Sequence, residues 1–180
     1  VGQGTAMSGR VATDIVTATH GGQTLAVVSY GADNTVSLFR MAGNGQLQHM
    51  ADLNVEDGFW AERPGAMTTV IGADGALYVV VTASGSGSLS VLAIDADGGG
   101  MRMVDHVLDT LDTRFDDASY VDTVTINGQD YVVAAGTDSG ISLFVMLNAG
   151  RLQHVETIAG NLDSPLNNIS GIEAVDTDNG

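Results

Sequence analysis

The amino-acid sequence predicts an all-β fold made of consecutive four-stranded antiparallel blades of a propeller. The turn glycines Gly22, Gly75, Gly128 and Gly180 are 53, 53 and 52 positions apart, and similar strand-like segments follow the first three. No segment of about twelve or more residues holds the 3.6-residue period of an amphipathic helix. A four-strand unit that recurs about every 50 residues is typical of propellers. The alternative, a sandwich or barrel, does not require equal spacing.

Each unit is expected to contain four short strands. The first ends at the turn glycine, and the second is a continuous aliphatic run such as Leu25–Ser29, which is typical of a strand buried on both faces. The third alternates, as in Val36–Phe39, so one of its faces is expected to be more polar. A turn such as Ala42–Gly45 then leads to the fourth strand, because Gly and Asn tolerate the positive φ of hairpin turns.

These units place blade 1 at about 11–54, blade 2 at about 66–109 and blade 3 at about 121–159, with the first strand of a fourth blade at about 170–176. Propellers close with about four to eight blades, and natural proteins avoid open sheet edges. We therefore expect part of a larger ring, completed by further blades of the same longer chain or of other chains. The start at Val1 and the end within a repeat favour a piece of a longer polypeptide.

Composition excludes several classes of function. The 180 residues carry six arginines, no lysine, 22 Asp and Glu, and a net charge of −16. Nucleic acids and anionic lipids attract clustered Lys and Arg, so neither is an expected partner. The chain has no cysteine for a disulfide or thiolate, and no apolar run near the roughly 20 residues of a membrane helix. An acidic, cysteine-free chain suits an extracellular protein.

Three long loops at 54–65, 109–120 and 160–169 join the units, and function commonly lies on such loops. In one interpretation they form a polar mouth for a sugar-like or anionic ligand, lined by Asp57, Trp60, Arg63, Arg114, Asp116 and Asp117. The Trp60 ring would stack on the ligand, and an arginine would bind a carboxylate through two hydrogen bonds. In the interpretation we favour, Trp60 and Phe115 fill gaps between blades and the carboxylates are solvated or pair with arginines.

Two turns have the alternating oxygen ligands that calcium prefers, which makes calcium the one candidate cofactor. The candidate ligands are Asp95 and Asp97 in one turn and Asp176 and Asp178 in the other. Aspartate and glycine at these positions also fit ordinary turn chemistry. The sequence has no Gly-x-Ser-x-Gly nucleophile elbow and no His-Glu-x-x-His metal motif.

The run Leu25–Phe39, with the pairs Gly45-x-Leu47 and Gly150-x-Leu152, resembles the blades of lactonase-type propellers, the 6-phosphogluconolactonase-like and YVTN-repeat proteins. The chain also resembles propeller stretches of secreted bacterial hemolysin-type calcium-binding (RTX-class) proteins. The first resemblance implies a hydrolase of sugar lactones that uses Glu62, Arg63 and Arg114. The second, together with the acidic, lysine-free and cysteine-free composition, favours a non-catalytic binding or scaffold module of a secreted bacterial protein, associated with calcium. We expect the module, because no acid–base–nucleophile set converges, and keep the lactonase as the alternative.

Overall fold

The computed structural model describes residues 9–161, 166–167 and 169–177. This part of the chain forms three four-stranded antiparallel sheets, each with its strands in chain order. The only helical segments there are three-residue 3₁₀ turns at Gly31–Asp33, Val55–Asp57 and Asn148–Gly150. Among these residues no helix is long and apolar enough to cross a membrane. The predicted all-β fold of propeller blades is confirmed.

The strands fall into one blade after another. Blade 1 contains β1 (Asp14–His20), β2 (Gln23–Tyr30), β3 (Thr35–Met41) and β4 (Leu47–Leu53). Blade 2 contains β5 (Pro64–Ile71), β6 (Leu77–Ala83), β7 (Ser88–Ile94) and β8 (Met101–Leu108). Blade 3 contains β9 (Tyr120–Ile126), β10 (Gln129–Ala135), β11 (Gly140–Leu147) and β12 (Arg151–Ala159).

The repeat in the sequence is also a repeat in backbone geometry. Gly22, Gly75 and Gly128 have φ of 74°, 77° and 77°, which only glycine adopts without strain. The pairing of third and fourth strands shifts register once in every blade, at Leu38/Phe39, Val91/Leu92 and Leu143/Phe144. Such a bulge bends and twists the outer strand pair in the same way each time.

The blades pack face to face, and each has a forward side towards the next blade and a backward side towards the previous one. The backward side of blade 2, with Val79 and Leu92, shares one apolar cluster with Leu25 and Leu38 of blade 1. Its forward side shares a second cluster with blade 3. Blade 2 is therefore buried on both sides, as the aliphatic run of β6 predicts.

The third strand alternates as predicted, but its polar side chains are buried. Its serines Ser37, Ser90 and Ser142 are fully buried rather than exposed on a polar face. Each bonds a side chain directly opposite on the fourth strand: Asp52, His106 and Thr157 respectively. The alternation is real, but its polar positions form internal hydrogen bonds within the blade because buried hydroxyls need partners.

The first strands of the blades lie side by side along a common axis. The Met67 N–H of β5 donates to the Asp14 carboxylate of β1 at 2.8 Å, and the Thr123 hydroxyl of β9 donates to the Thr69 carbonyl of β5. Beyond β9, the Ala174 N–H donates to Asp122 at 2.8 Å. Ala174 thus lies beside β9, but residues 169–177 form no strand, in contrast to the first strand of a fourth blade expected at about 170–176.

Candidate binding site at the blade axis

A pocket of about 660 Å³ lies where the first strands of all three blades begin. Blade 1 contributes Thr13 and Asp14, the start of β5 contributes Arg63 to Ala66, and blade 3 contributes Ala118 to Tyr120. We call it the axial pocket. Because three blades supply its wall, only the assembled fold creates it.

Arg63 is the cation of the axial pocket. Its backbone is fixed in the left-handed region, at φ 54°. There its N–H donates to the Asn34 side-chain oxygen at 2.7 Å, and its carbonyl accepts from Ser84 at 3.2 Å. Within the described ranges it is also the one arginine of the six whose guanidinium makes no hydrogen bond or ion pair. Its five donors are thus available to a ligand.

Asp14 is the carboxylate of the same pocket. Its Oδ1 accepts the N–H of Ile15 and its Oδ2 accepts the N–H of Met67, both at 2.8 Å. These bonds hold the half-buried side chain in one orientation, and each oxygen keeps a lone pair for a further partner. Asp14 was not among the residues predicted from the sequence, because nothing in the strand pattern shows which end of β1 meets the neighbouring blades.

Trp60 and Glu62 lie in a different pocket, although they are close in sequence to Arg63 of the axial pocket. This second cavity, of about 720 Å³, is lined by the hairpin residues Asp33 to Thr35 and by the loop from Asn54 to Glu62. The expected mouth is therefore divided: Trp60 and Glu62 face one cavity and Arg63 the other. Asp57 stabilises the loop itself, since its carboxylate accepts the Asn54 N–H in a capping box.

Arg114 is committed to its own loop. Its N–H donates to the buried Ser142 hydroxyl at 2.7 Å, and its guanidinium donates to the carbonyls of Leu111 and Thr113. Asp116 and Asp117 follow it, and their carbonyls accept from the Thr137 N–H and the Ser119 hydroxyl. The structure thus places these three predicted ligand residues in the joint between loop and blade 3, outside the lining of both cavities.

The gap-filling interpretation holds for one aromatic residue and fails for the other. Phe115 is fully buried between blades 2 and 3, as expected. Trp60 is 62% exposed, and the residue that fills the gap between blades 1 and 2 is its neighbour Phe59, at 1%. Assigning Trp60 to the gap was wrong, because a loop pattern does not show which of two adjacent rings turns inwards.

A Ser–His–Asp grouping on blade 1 is structural. Asp52 accepts hydrogen bonds from both Ser37 and His49, so the histidine does not stand between serine and carboxylate as a catalytic base would. Burial raises the pKa of Asp52, but the bonds from Ser37 and His49 and the charge of Arg10 outweigh it and hold that pKa below its ordinary value. The serine bond recurs in all three blades.

Two of the candidate calcium ligands, Asp95 and Asp97, make contacts within the protein at their own turn. The Asp97 carboxylate accepts the Gly99 N–H at 2.8 Å, and Asp95 pairs with Arg102 at 3.1 Å. Asp176 lies in the described segment, whereas Asp178 lies outside the described residues. Across the described ranges, no group of three or more His, Cys, Asp or Glu is placed to hold a metal ion.

Comparison with known proteins supports the fold. No protein-family model and no curated protein matches the chain. A candidate 6-phosphogluconolactonase from Bacteroides fragilis is 21% identical, over 88% of this chain and 41% of that one, with a TM-score of 0.60. A periplasmic gluconolactonase from Pseudomonas aeruginosa is 18% identical over 87% and 41%, with a TM-score of 0.59. An exo-β-1,3-galactanase from Phanerochaete chrysosporium is 12% identical over 82% and 36%, with a TM-score of 0.58.

The chain spans well under half the length of these solved structures. At such low identity the likeness concerns the fold, and the resemblance to lactonase-type blades read from the sequence is confirmed at that level. None of these three structures supports the resemblance to hemolysin-type proteins. The three-bladed part described here therefore shares its architecture with sugar-acting propellers, lactonases among them.

Proposed function

We propose that this chain forms part of a lactonase-like hydrolase that binds a sugar lactone in the axial pocket. The observation that carries the proposal is Arg63, whose guanidinium has no partner among the described residues and which lines a pocket built by three blades. In a chain of net charge −16 with 22 carboxylates, the other five arginines have partners within the protein. An unpaired guanidinium is suited to a carbonyl oxygen that gains negative charge, or to a carboxylate product.

The proposed reaction needs only these groups and water. Asp14 takes a proton from a water molecule, whose oxygen attacks the lactone carbonyl carbon. Arg63 stabilises the resulting oxyanion. The bond from that carbon to the ring oxygen then breaks, the ring oxygen receives the proton from Asp14, and the product is a hydroxy acid. The acid ionises, so each turnover releases one proton to the solution.

The structural neighbours support this proposal over the scaffold module that we expected from the sequence. Two of the three are a candidate 6-phosphogluconolactonase and a gluconolactonase. A calcium-associated scaffold role and an extracellular location stay predictions, and the Asp95–Asp97 turn would be the place to test the first.

The test is proton release from D-glucono-1,5-lactone at constant pH, corrected for spontaneous hydrolysis. We expect the wild-type chain to accelerate hydrolysis and both R63Q and D14N to lose at least about a hundredfold of that activity, the usual effect of removing an oxyanion donor or a general base. The matched control is R102Q, whose parent side chain pairs with Asp95 in the β7–β8 turn. No rate above the spontaneous one, or equal losses in R63Q and R102Q, would overturn the proposal.

A further inference from the structure

The second cavity, around Trp60, contains the only tryptophan of the chain and no arginine in its lining. Both walls come from described residues: the Asp33–Thr35 hairpin of blade 1 and the loop that leads into blade 2. Unlike the axial pocket, it is lined, among the described residues, by blade 1 and the loop that follows it alone. We call it the Trp60 pocket.

The indole of Trp60 is held outward by its neighbours. Phe59 and Ala61, on either side, are each 1% exposed and anchored in the core between blades 1 and 2. The Asn54 capping box and Gly58, at φ 86°, fix the turn before them. The Glu62 N–H donates to Ser86, and its carbonyl accepts from Gly85. An aromatic surface on so constrained a backbone is pre-organised for a ligand.

The fold does not require an apolar side chain at this position. In the next connection between blades, Asp117 has the left-handed backbone of Arg63, at φ 51°, and Thr113 is buried as Phe59 is. The residue after Thr113 is Arg114, so the same architecture is built with an arginine where the connection into blade 2 has tryptophan. A large apolar ring that is 62% exposed and lines a cavity provides a surface on which a ligand can pack.

The other lining groups define the chemistry of the ligand. Asp33, Glu56 and Glu62 are exposed carboxylates, which accept hydrogen bonds. Asn34 uses its side-chain oxygen for the Arg63 N–H, so its NH₂ group can donate. Asp33 is paired with Arg10 at 3.7 Å, but Glu56 and Glu62 make no such ion pair within the described ranges, and together the three carboxylates repel an anion. A neutral ligand with one apolar ring face and many hydroxyl groups matches both the indole and its ring of acceptors.

From this arrangement we propose that the Trp60 pocket is a saccharide-binding site, separate from the axial pocket and specific for neutral sugar rings. The sugar stacks its C–H face on the Trp60 indole and donates hydroxyl hydrogens to Glu62, Glu56 and Asp33. Saccharide binding at the Trp60 pocket does not depend on lactone hydrolysis. The adjacent residues Glu62 and Arg63 face the two pockets, so a neutral saccharide and a lactone would bind on either side of one loop.

Because Trp60 is the single tryptophan of the chain, its fluorescence reports directly on binding at this pocket. Trp60 fluorescence is titrated in the 180-residue chain with cellobiose, maltose, xylobiose and lactose, and separately with spermine as a cationic probe. We expect a saturable blue shift and weaker acrylamide quenching with at least one disaccharide, and no effect of gluconate. No response to any of the four sugars, or a response to spermine alone, would overturn the proposal, the latter in favour of a site for organic cations.

Calorimetry with the responding disaccharide then tests whether side chains of the Trp60 pocket bind the sugar. We expect W60A to bind at least about tenfold more weakly, because the stacking surface is lost, and E62Q to bind several-fold more weakly with its fold intact. L111A is the matched control, since Leu111 is 95% exposed on the next loop between blades, and should bind as wild type. Unchanged affinity in both W60A and E62Q would contradict the site whether or not the chain hydrolyses lactones.

Discussion

Phe144 is the residue on which the contact between blades 2 and 3 depends most directly. It is fully buried on the backward side of blade 3, inside the apolar cluster shared with blade 2. Its ring meets Phe115 edge-on at 5.6 Å and lies against His154 at the same centroid distance. The equivalent residue of blade 2 is Leu92, also fully buried, in the cluster between blades 1 and 2.

F144A should destabilise the chain by about 3–5 kcal/mol, the usual cost of removing a buried phenyl ring together with the cavity left behind. For a chain of this size, 1 kcal/mol corresponds to roughly 2–4 °C in Tm. We therefore expect Tm to fall by roughly 6–20 °C. L92A should cost about 2–5 kcal/mol. L111A, at an exposed position, should stay within about 0.5 kcal/mol of wild type.

The location of the damage tests the blade arrangement itself. Blades contact only their neighbours, so each variant should loosen one junction. Hydrogen exchange should become faster in β10 and β11 for F144A, and in β2 and β3 for L92A. Thermal melts followed by circular dichroism measure the change in Tm of the same variants. If both variants loosen the same strands equally, or if F144A melts within about 2 °C of wild type, the reasoning from separate junctions fails.

Three other substitutions probe charge, hydrogen bonding and association. Burial, with the charge of Asp109 as a second cause, raises the pKa of Asp138. Ionisation of Asp138 therefore opposes folding, and wild-type stability should fall as the pH rises from the ordinary pKa to the raised one. D138N should be more stable than wild type at pH 7, and Tm measured from pH 3.5 to 7 checks this. S142A leaves the Arg114 N–H without its acceptor and should lower the unfolding free energy by about 1–3 kcal/mol in urea melts. I158E should make the chain more monomeric in sedimentation, since Ile158 is 57% exposed on the forward side of blade 3; a wild-type chain that is already a stable monomer would contradict this.

The architecture was predictable because the sequence repeats what the fold repeats. Turn glycines at Gly22, Gly75 and Gly128 mark the first hairpin of each blade, and aliphatic runs such as that of β6 mark buried strands. The same logic failed where burial depends on a neighbour. The pattern of β11 shows alternating serine and aliphatic residues, but not that Ser142 is buried against the loop carrying Arg114.

The candidate site was predictable only in part, because loops do not follow the repeat. The spacing pointed to the loop from Asn54 to Gly65, and Trp60 and Arg63 do face cavities. The division of the expected site into two pockets depends on contacts between residues far apart in the sequence, such as the hydrogen bond from the Arg63 N–H to Asn34. Arg114 has the same residue type and an equivalent loop, but its guanidinium is held by carbonyls of that loop. Residue type therefore selected candidates, and backbone contacts decided between them.

The two outer faces of this three-bladed assembly are not alike. On blade 1, the backward side is buried at β2 and β3, where Val28, Tyr30 and Phe39 are at most 7% exposed, while Ile15 of β1 is 55% exposed. On blade 3, the forward side is only half-buried, although its residues Val133 and Leu143 are the equivalents of Val80 and Val91, which are fully buried in blade 2.

The residues that make the junction from blade 2 to blade 3 are therefore repeated on blade 3. In blade 2, Asp105 opposes Val91 and accepts the Leu152 N–H and the Arg151 side chain of blade 3. In blade 3, Glu156 opposes Leu143 in the same way and is exposed. Ala174 already bonds to Asp122 beside β9, which is the first contact that a following blade would make. Glu156 would be the hydrogen-bond acceptor for that blade, as Asp105 is for blade 3. For this reason we expect association to occur through the forward side of blade 3, where I158E places a charge.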